Sequence, residues 1–184
     1  MFVNNKGFTL IELIVGIVAL SAALLLLTGV LVPQAEKSTN PWFQVRSAEL
    51  AQSIMNEINA RRYDENSPTG GSLIRCDEAG GTACVTALPV CPTPGQPRDW
   101  VEENSRDVYD DIDDFHCLSL LGDQITNIEN TSLLEVYRAF TVNVYVTYAG
   151  NDLGLNPRLA KRITVSVTPP KGEVISYTSY RTNY

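Results

Sequence analysis

The chain has 184 residues, a formal net charge of −7 and a sequence pI near 4.7. Its length favours one domain with an anchor. Its acidic balance argues against nucleic acid or anionic lipid as a general surface partner, because like charges repel. The single histidine offers little to a zinc site.

The first element is an apolar run from Phe8 to Val32, preceded by a short polar stub that contains Lys6. About 20 helical residues span the ~30 Å hydrocarbon layer, so residues 8–32 are predicted to form a transmembrane helix. A secretory signal has an apolar region of about 7–15 residues, which is shorter than this run, and a small-residue cleavage site, which does not follow it. A core helix this apolar needs a larger protein around it.

The charges flanking this run predict its orientation. Lys6 precedes it, whereas Glu36 and Lys37 follow it and nearly cancel. The positive-inside bias therefore favours a cytoplasmic stub, with residues from 34 onward across the membrane. Disulfides persist in that compartment.

One acid, Glu12, lies a single turn into the apolar run. A charge at a bilayer centre costs about 2.5–3.5 kcal/mol, and less near the end of a span. Glu12 either reaches the head groups or waits for a positive partner. A cut after Gly7 would place the new Phe8 amine four residues away, and Glu12 could pair with that amine on a neighbouring copy. Such a pair would fix register more than it adds stability.

The sequence "KGFTLIEL" resembles the class III signal of type IV pilins and type II secretion pseudopilins. That signal has a short basic leader, Gly before the cut, Phe after it and Glu at the fifth mature position, matched by Gly7, Phe8 and Glu12. The resemblance implies that a prepilin peptidase removes Met1–Gly7 and N-methylates Phe8. It also implies that helix 8–32 becomes the core of a filament and that residues 33–184 form a periplasmic pilin-like domain.

A second helical segment follows the apolar run. Pro33 is predicted to end or kink the first helix, and Asn40 with Pro41 predicts a new helix start. Apolar residues then recur at helical spacing and predict an amphipathic stripe that needs a sheet. They are Val45, Ala48, Leu50, Ala51, Ile54, Met55 and Ile58. In pilins the second half of the first helix packs on an antiparallel sheet, and this segment resembles that half. Trp42 is predicted to serve packing or an interface.

The C-terminal third alternates with the period of strands, and turn-rich stretches separate three such segments. In the first segment, the residues predicted to share one face are Val136, Phe140, Val142, Val144, Val146 and Tyr148. In the second, they are Leu159, Ile163, Val165 and Val167. Residues 174–184 supply the third. The order helix and then antiparallel meander predicts an α+β fold, as in pilins.

The segment 66–117 contains every cysteine and is predicted to be a loop held by disulfides, since residues 66–100 show no sustained periodicity. Cys76, Cys84, Cys91 and Cys117 allow three pairings. The preferred one joins Cys84 to Cys91, which closes a short loop, and leaves Cys76 with Cys117.

An acidic cluster lies in "RDVYDDIDDFHC", with Asp107, Asp110, Asp111, Asp113 and Asp114. Calcium takes about 6–8 oxygen ligands, which makes Asp110, Asp111, Asp113 and Asp114 weak metal candidates, although the spacing is not that of an EF-hand. The alternatives are a solvated acidic turn, the cap of a short helix, or an ion-pair partner for Arg61, Arg62 or Arg138. No other cofactor is predicted.

The pair "RRYDENS" and "VYDDIDDFH" resembles the MshD-like minor pilins of the mannose-sensitive haemagglutinin (MSHA) pilus. The resemblance implies that the acidic segment lies beside the end of the long helix. That family has "DDFHG" and so carries glycine where this chain has Cys117. The difference suggests an additional disulfide here.

Catalytic motifs are missing from the sequence. It has no phosphate-binding G-x-x-x-x-G-K-[ST] and no G-x-S-x-G, and one histidine cannot supply H-E-x-x-H. A Ser–His–Asp triad would need His116, which lies inside the acidic turn. We therefore expect no enzymatic activity.

The expected function is that of an MSHA-like minor type IV pilin. A type II secretion minor pseudopilin and an adhesin-type subunit at the pilus tip are the alternatives. The expected partners are the major pilin, other minor pilins, the prepilin peptidase and the inner-membrane assembly platform. The expected location is the bacterial inner membrane, with the C-terminal domain in the periplasm, and then the extracellular pilus.

Overall fold

The structure is a computed structural model that describes residues 7, 9–68, 74–93, 96–101, 103, 105–127, 131–171 and 173–184, with backbone only for residues 30–40. It contains two compact units, Met1–Trp42 and Phe43–Tyr184.

Helix α1 covers Leu10–Asn59 without interruption. The prediction that a new helix starts at Asn40 and Pro41 is therefore wrong. Of the two outcomes predicted for Pro33, the end of the helix is excluded, and a kink stays a prediction. A proline removes one backbone hydrogen bond and costs about 3 kcal/mol inside a helix. The local signal shows this cost but not that the helix continues through both prolines, and a start signal does not reveal that the preceding chain is already helical.

Four antiparallel strands form one sheet in the order β1–β2–β3–β4. They are β1 Ser119–Leu121, β2 Thr141–Tyr148, β3 Ala160–Thr168 and β4 Ile175–Thr182. The α+β prediction is confirmed, and the last three strands form the predicted meander. The alternation of residues did not predict β1, because three residues are too few to show a period of two.

The predicted start of the first meander strand was five residues early. A short helix, α2 at Leu134–Tyr137, occupies that stretch. Val136 and Phe140 are four residues apart, a spacing that suits a helix as well as a strand. Likewise Leu159 belongs to the 3₁₀ turn Pro157–Leu159 that precedes β3.

The hydrophobic core joins the end of α1 to the inner face of the sheet. Buried members are Leu50, Ala51, Ile54, Met55 and Ile58 from the helix, and Val142, Val144, Val146, Ile163, Val165 and Val167 from the strands. Val45 is 57% exposed, so its predicted place in the stripe is wrong. It lies two residues from the buried Ser47, which is about 200° around the helix.

Candidate functional site

Thr9 caps the start of α1, directly after the predicted cleavage position. The Glu12 N–H donates to Thr9 Oγ1 at 3.3 Å, and the Leu13 N–H donates to the Thr9 carbonyl at 3.2 Å. Thr9 and Glu12 have the spacing of a capping box, a signal that the sequence reasoning missed. The Glu12 carboxylate thus belongs to the first turn, where the helix dipole favours negative charge.

The predicted processing residues lie just before this cap. Gly7 is exposed, and a Cβ added to it would meet nothing within 4 Å among the described residues. Phe8 lies outside the residues that the structure describes, so its predicted pairing with Glu12 stays a prediction. Glu12 itself is exposed.

The segment Leu10–Gly29 is 20 residues long, has a mean hydropathy of 2.7 and is unburied within the structure. It is long and apolar enough to cross a membrane. Its hydroxyl groups are satisfied inside the helix: Ser21 donates to the Ile17 carbonyl at 2.8 Å, and Thr28 donates to that of Leu24 at 3.0 Å. A helix with this surface needs lipid or other apolar helices to cover it.

Two carboxylates of the acidic cluster bind backbone amides of the cluster itself. Asp111 Oδ1 accepts the N–H groups of Asp113 and Asp114 at 2.6 and 3.2 Å. Asp114 Oδ2 accepts those of Asp110 and Asp111 at 3.0 and 3.1 Å. The Asp111 bonds support the alternative in which the cluster caps a short helix, because they meet the first N–H groups of the 3₁₀ turn Asp113–Phe115.

The acidic cluster also contacts the segment that follows α1. The Arg62 N–H donates to the Asp110 carbonyl, and the Ile112 N–H donates to the Arg62 carbonyl, both at 3.1 Å. The Arg62 guanidinium pairs with the Asp110 carboxylate. The expectation that the acidic segment lies beside the end of the long helix is confirmed, with Arg62 as an ion-pair partner.

Asp113 faces a buried lysine on the sheet. Lys161 Nζ lies 2.7 Å from Asp113 Oδ2, 3.1 Å from Asp64 Oδ2 and 2.7 Å from the Tyr63 carbonyl. Its side chain is 0% exposed, and the rings of Tyr63 and Tyr148 lie 4.4 and 5.2 Å from Nζ. We call these five residues the Lys161 cluster.

Burial sets the protonation of the acids in and beside this cluster. It raises the pKa of Asp113 to about 6, although the Lys161 ammonium opposes the shift. Burial, reinforced by the charges of Asp113 and Asp114, raises the pKa of Asp111 to about 7.

Sequence reasoning missed the Lys161 cluster. The available signal was the position of Lys161, which lies on the same face of β3 as the buried Ile163, Val165 and Val167. A lysine on a buried face requires a counter-charge.

The four weak calcium candidates all make internal contacts. Asp110 pairs with Arg62, Asp111 and Asp114 accept backbone amides, and Asp113 pairs with Lys161. Within the described part of the chain, Asp110 alone of the four belongs to a group able to share an ion, with Glu65 and Glu103 oxygens within 4.8 Å of one another. Calcium binding stays a prediction.

The disulfides are Cys76–Cys84 and Cys91–Cys117. The preferred pairing of Cys84 with Cys91 is therefore wrong. The two candidate loops differ by one residue in length, and closure entropy does not separate them. A tight turn decides instead: the Asp77 N–H donates to the Thr82 carbonyl at 2.9 Å, which brings Cys76 and Cys84 together.

Cys117 has a φ of 60°, in the left-handed region that favours glycine. A residue with a Cβ is uncommon in this region and is strained there. The disulfide to Cys91 holds a cysteine in that conformation.

This geometry predicts the effect of removing the second disulfide. Cys91→Ser with Cys117→Ser should lower the free energy of unfolding by about 2–5 kcal/mol. Cys91→Ser with Cys117→Gly should recover about 1 kcal/mol of that loss, because glycine relieves the strain at φ 60°. Denaturant unfolding of both double variants measures the difference. Equal stabilities would contradict the strain argument.

His116 connects the disulfide-held loop to the edge of β2. Its Nε2–H donates to the Pro89 carbonyl at 2.9 Å, and its Nδ1 accepts the Val146 N–H at 3.2 Å. These partners require the neutral ring with the proton on Nε2. Strand β1 pairs only with residues 141–143 of β2, so His116 supplies the acceptor that a longer β1 would provide.

Burial lowers the pKa of His116, and the nearby Arg98 charge lowers it further. A depressed folded-state pKa means that this stabilisation is present above about pH 6.5 and is lost as the pH falls through the folded value. The stability difference between the unaltered chain and His116→Gln should therefore shrink on acidification from pH 7.5 to 5. Thermal unfolding of both across that range tests this, and a constant difference would contradict it.

Comparison with known proteins gives one match. Residues 3–28 match the family model described as the prokaryotic N-terminal methylation motif. This confirms the class III signal predicted from Gly7, Phe8 and Glu12. No curated protein matches the chain significantly. No solved structure does either.

Proposed function

We propose that this chain is a minor type IV pilin, with a role like that of the MSHA minor pilins. One observation carries the proposal: the methylation motif at residues 3–28 coincides with the unburied apolar helix Leu10–Gly29. A segment that is both a processing signal and an unpacked apolar helix suits a subunit that leaves the membrane for a filament. Its role would be structural.

In this proposal the prepilin peptidase cuts after Gly7 and methylates the Phe8 amine. Thr9 then caps a helix whose first turn holds Glu12, four residues from the new amine. Glu12 of the entering subunit pairs with the Phe8 amine of its neighbour, in apolar surroundings that strengthen the interaction. The apolar helices of the major pilin and other minor pilins cover Leu10–Gly29 as the assembly platform adds each subunit.

The proposed topology follows from the same features. The leader lies in the cytoplasm, the helix 8–32 spans the inner membrane, and residues 33–184 lie in the periplasm. The two disulfides, Cys76–Cys84 and Cys91–Cys117, support an oxidising compartment for the globular unit.

Two related functions share part of this support. The methylation motif also serves type II secretion pseudopilins, whose subunits would use Glu12 in the same way. An adhesin-type tip subunit is favoured by the disulfide-held loop, which exposes Val90 at 91%. Deleting residues 70–95 separates the roles: fibres that persist without adhesion favour binding, and lost fibres favour assembly.

The proposed function is tested by fractionation of cells that produce the chain with a complete pilus apparatus. The chain should appear in the sheared fibre fraction, and deletion of the prepilin peptidase should confine it to the membrane. A chain recovered only in the membrane of peptidase-positive, piliated cells would contradict the proposal.

A further inference from the structure

The Lys161 cluster holds an amine in contact with two carboxyl groups inside the protein. Lys161 and Asp64 have side chains that are 0% exposed, and that of Asp113 is 12% exposed. Charges are costly in such surroundings, and moving a proton from the ammonium to a carboxylate leaves a neutral amine and a neutral acid. Those are the forms that can condense to an amide.

The reacting groups are held close together. Lys161 Nζ is 2.7 Å from Asp113 Oδ2. The Asp113 carboxyl carbon is one bond beyond that oxygen, which places it close to the roughly 3–3.5 Å at which a nucleophile attacks. Both residues sit on fixed backbone: Lys161 pairs with Tyr148 and Arg181 in the sheet, and Asp113 begins the turn that Asp111 caps.

The two acids are prepared for different roles. The Asp64 carboxylate accepts the Val85 N–H at 3.1 Å, the Asn66 N–H at 3.1 Å and the Tyr148 hydroxyl at 3.3 Å, and these bonds fix its position beside Lys161 Nζ. Asp113 Oδ1 is buried and accepts no hydrogen bond from the described residues. Burial also raises the pKa of Asp113 to about 6. Asp113 is therefore the better acyl group and Asp64 the better proton carrier.

We propose that Lys161 and Asp113 form an intramolecular isopeptide bond, with Asp64 transferring the proton. The neutral Lys161 Nζ attacks the carboxyl carbon of protonated Asp113. Asp64 takes a proton from Nζ and delivers it to the departing hydroxyl. The Nζ–Cγ bond forms, one Cγ–O bond breaks and one water leaves, so the step needs no oxidant, reductant or other reactant.

The surroundings suit the product. The rings of Tyr63 and Tyr148 lie against Nζ and limit the access of water that would hydrolyse the amide. The amide N–H keeps the Tyr63 carbonyl or Asp64 as its acceptor. The bond would join positions 48 residues apart and tie the acidic turn to the first part of β3.

Mass spectrometry of the full chain, purified in detergent and then reduced, alkylated and digested with trypsin, tests the proposal. The intact chain should be lighter by one water than its reduced composition requires. Trypsin should fail to cut after Lys161, and residues 159–162 should appear joined to residues 107–138. An unmodified mass together with a free peptide ending at Lys161 would overturn the proposal and leave an ordinary ion pair.

Two variants assign the reacting acid. In the Asp113→Asn chain, either no link should form or the link should form with loss of ammonia in place of water. A link that still forms with loss of water would make Asp64 the acyl group and overturn the assignment. Asp64→Asn should leave the chain mostly unlinked. Asp110→Asn is the matched control, because its carboxylate pairs with Arg62 outside the cluster, and it should link like the unaltered chain.

Discussion

A chain carrying Glu12→Gln is expected to enter fibres roughly tenfold less than the unaltered chain, or worse. Glutamine keeps the size of Glu12 but carries no charge, so it cannot form an ion pair with the Phe8 amine of a neighbour. A hydrogen bond between charged groups contributes about 1.5–3 kcal/mol, and about 1.4 kcal/mol corresponds to a factor of ten. Immunoblots of sheared fibre and membrane fractions measure the ratio.

Glu49→Gln is the matched control in the same helix. Glu49 pairs with Arg46 at 2.9 Å and its side chain is 52% exposed, so this surface pair contributes about 0–1 kcal/mol. Fibre entry should not change. Cleavage after Gly7 should be checked in the Glu12→Gln chain, so that a processing defect is not counted as an assembly defect. Unchanged entry of fully processed Glu12→Gln chain would contradict the proposed contact.

Lys161→Met should be the most destabilising single change in the globular unit among those considered. It leaves Asp64 and Asp113 buried without their cation, and removal of one partner from a buried ion pair costs about 3–5 kcal/mol. The decrease in the free energy of unfolding is measured by denaturant titration of the full chain in detergent, with near-ultraviolet circular dichroism as the signal. Loss of the proposed amide between Lys161 and Asp113 adds to this decrease in the free energy of unfolding.

The charge argument also predicts a rescue. Asp64→Asn and Asp113→Asn added to Lys161→Met should recover part of the lost stability, because no buried charge then lacks a partner. Lys171→Met, at an exposed position, should change the free energy of unfolding by less than about 0.5 kcal/mol. Equal stabilities of the Lys161→Met chain and the unaltered chain would show that the cluster contributes nothing to folding.

The parts of the fold that follow from periodicity could be predicted from the sequence. The helical spacing correctly predicted the buried positions Leu50, Ile54 and Ile58. The alternation within each strand correctly predicted that Val142 and Val165 lie on the inner face of the sheet. The N-terminal signal could also be predicted, because residue types in a fixed order carry it. These features are local, and each can be read within a window of a few residues.

The features that sequence reasoning missed depend on contacts between distant segments. Lys161 meets Asp64 and Asp113 only after the sheet forms, at separations of 97 and 48 residues. The pairing of Cys91 with Cys117 depends on a turn elsewhere in the loop. The role of His116 could not be predicted, because its partner, the Val146 N–H, belongs to a strand edge that β1 is too short to cover.

The central claim is that the chain is a precursor whose apolar helix becomes functional after cleavage at Gly7. Mass spectrometry of the N-terminus, on chain purified from cells that contain the prepilin peptidase, tests it most directly. The account predicts a mature chain that begins with N-methylated Phe8. An intact Met1, or a chain that begins beyond residue 30, would contradict it.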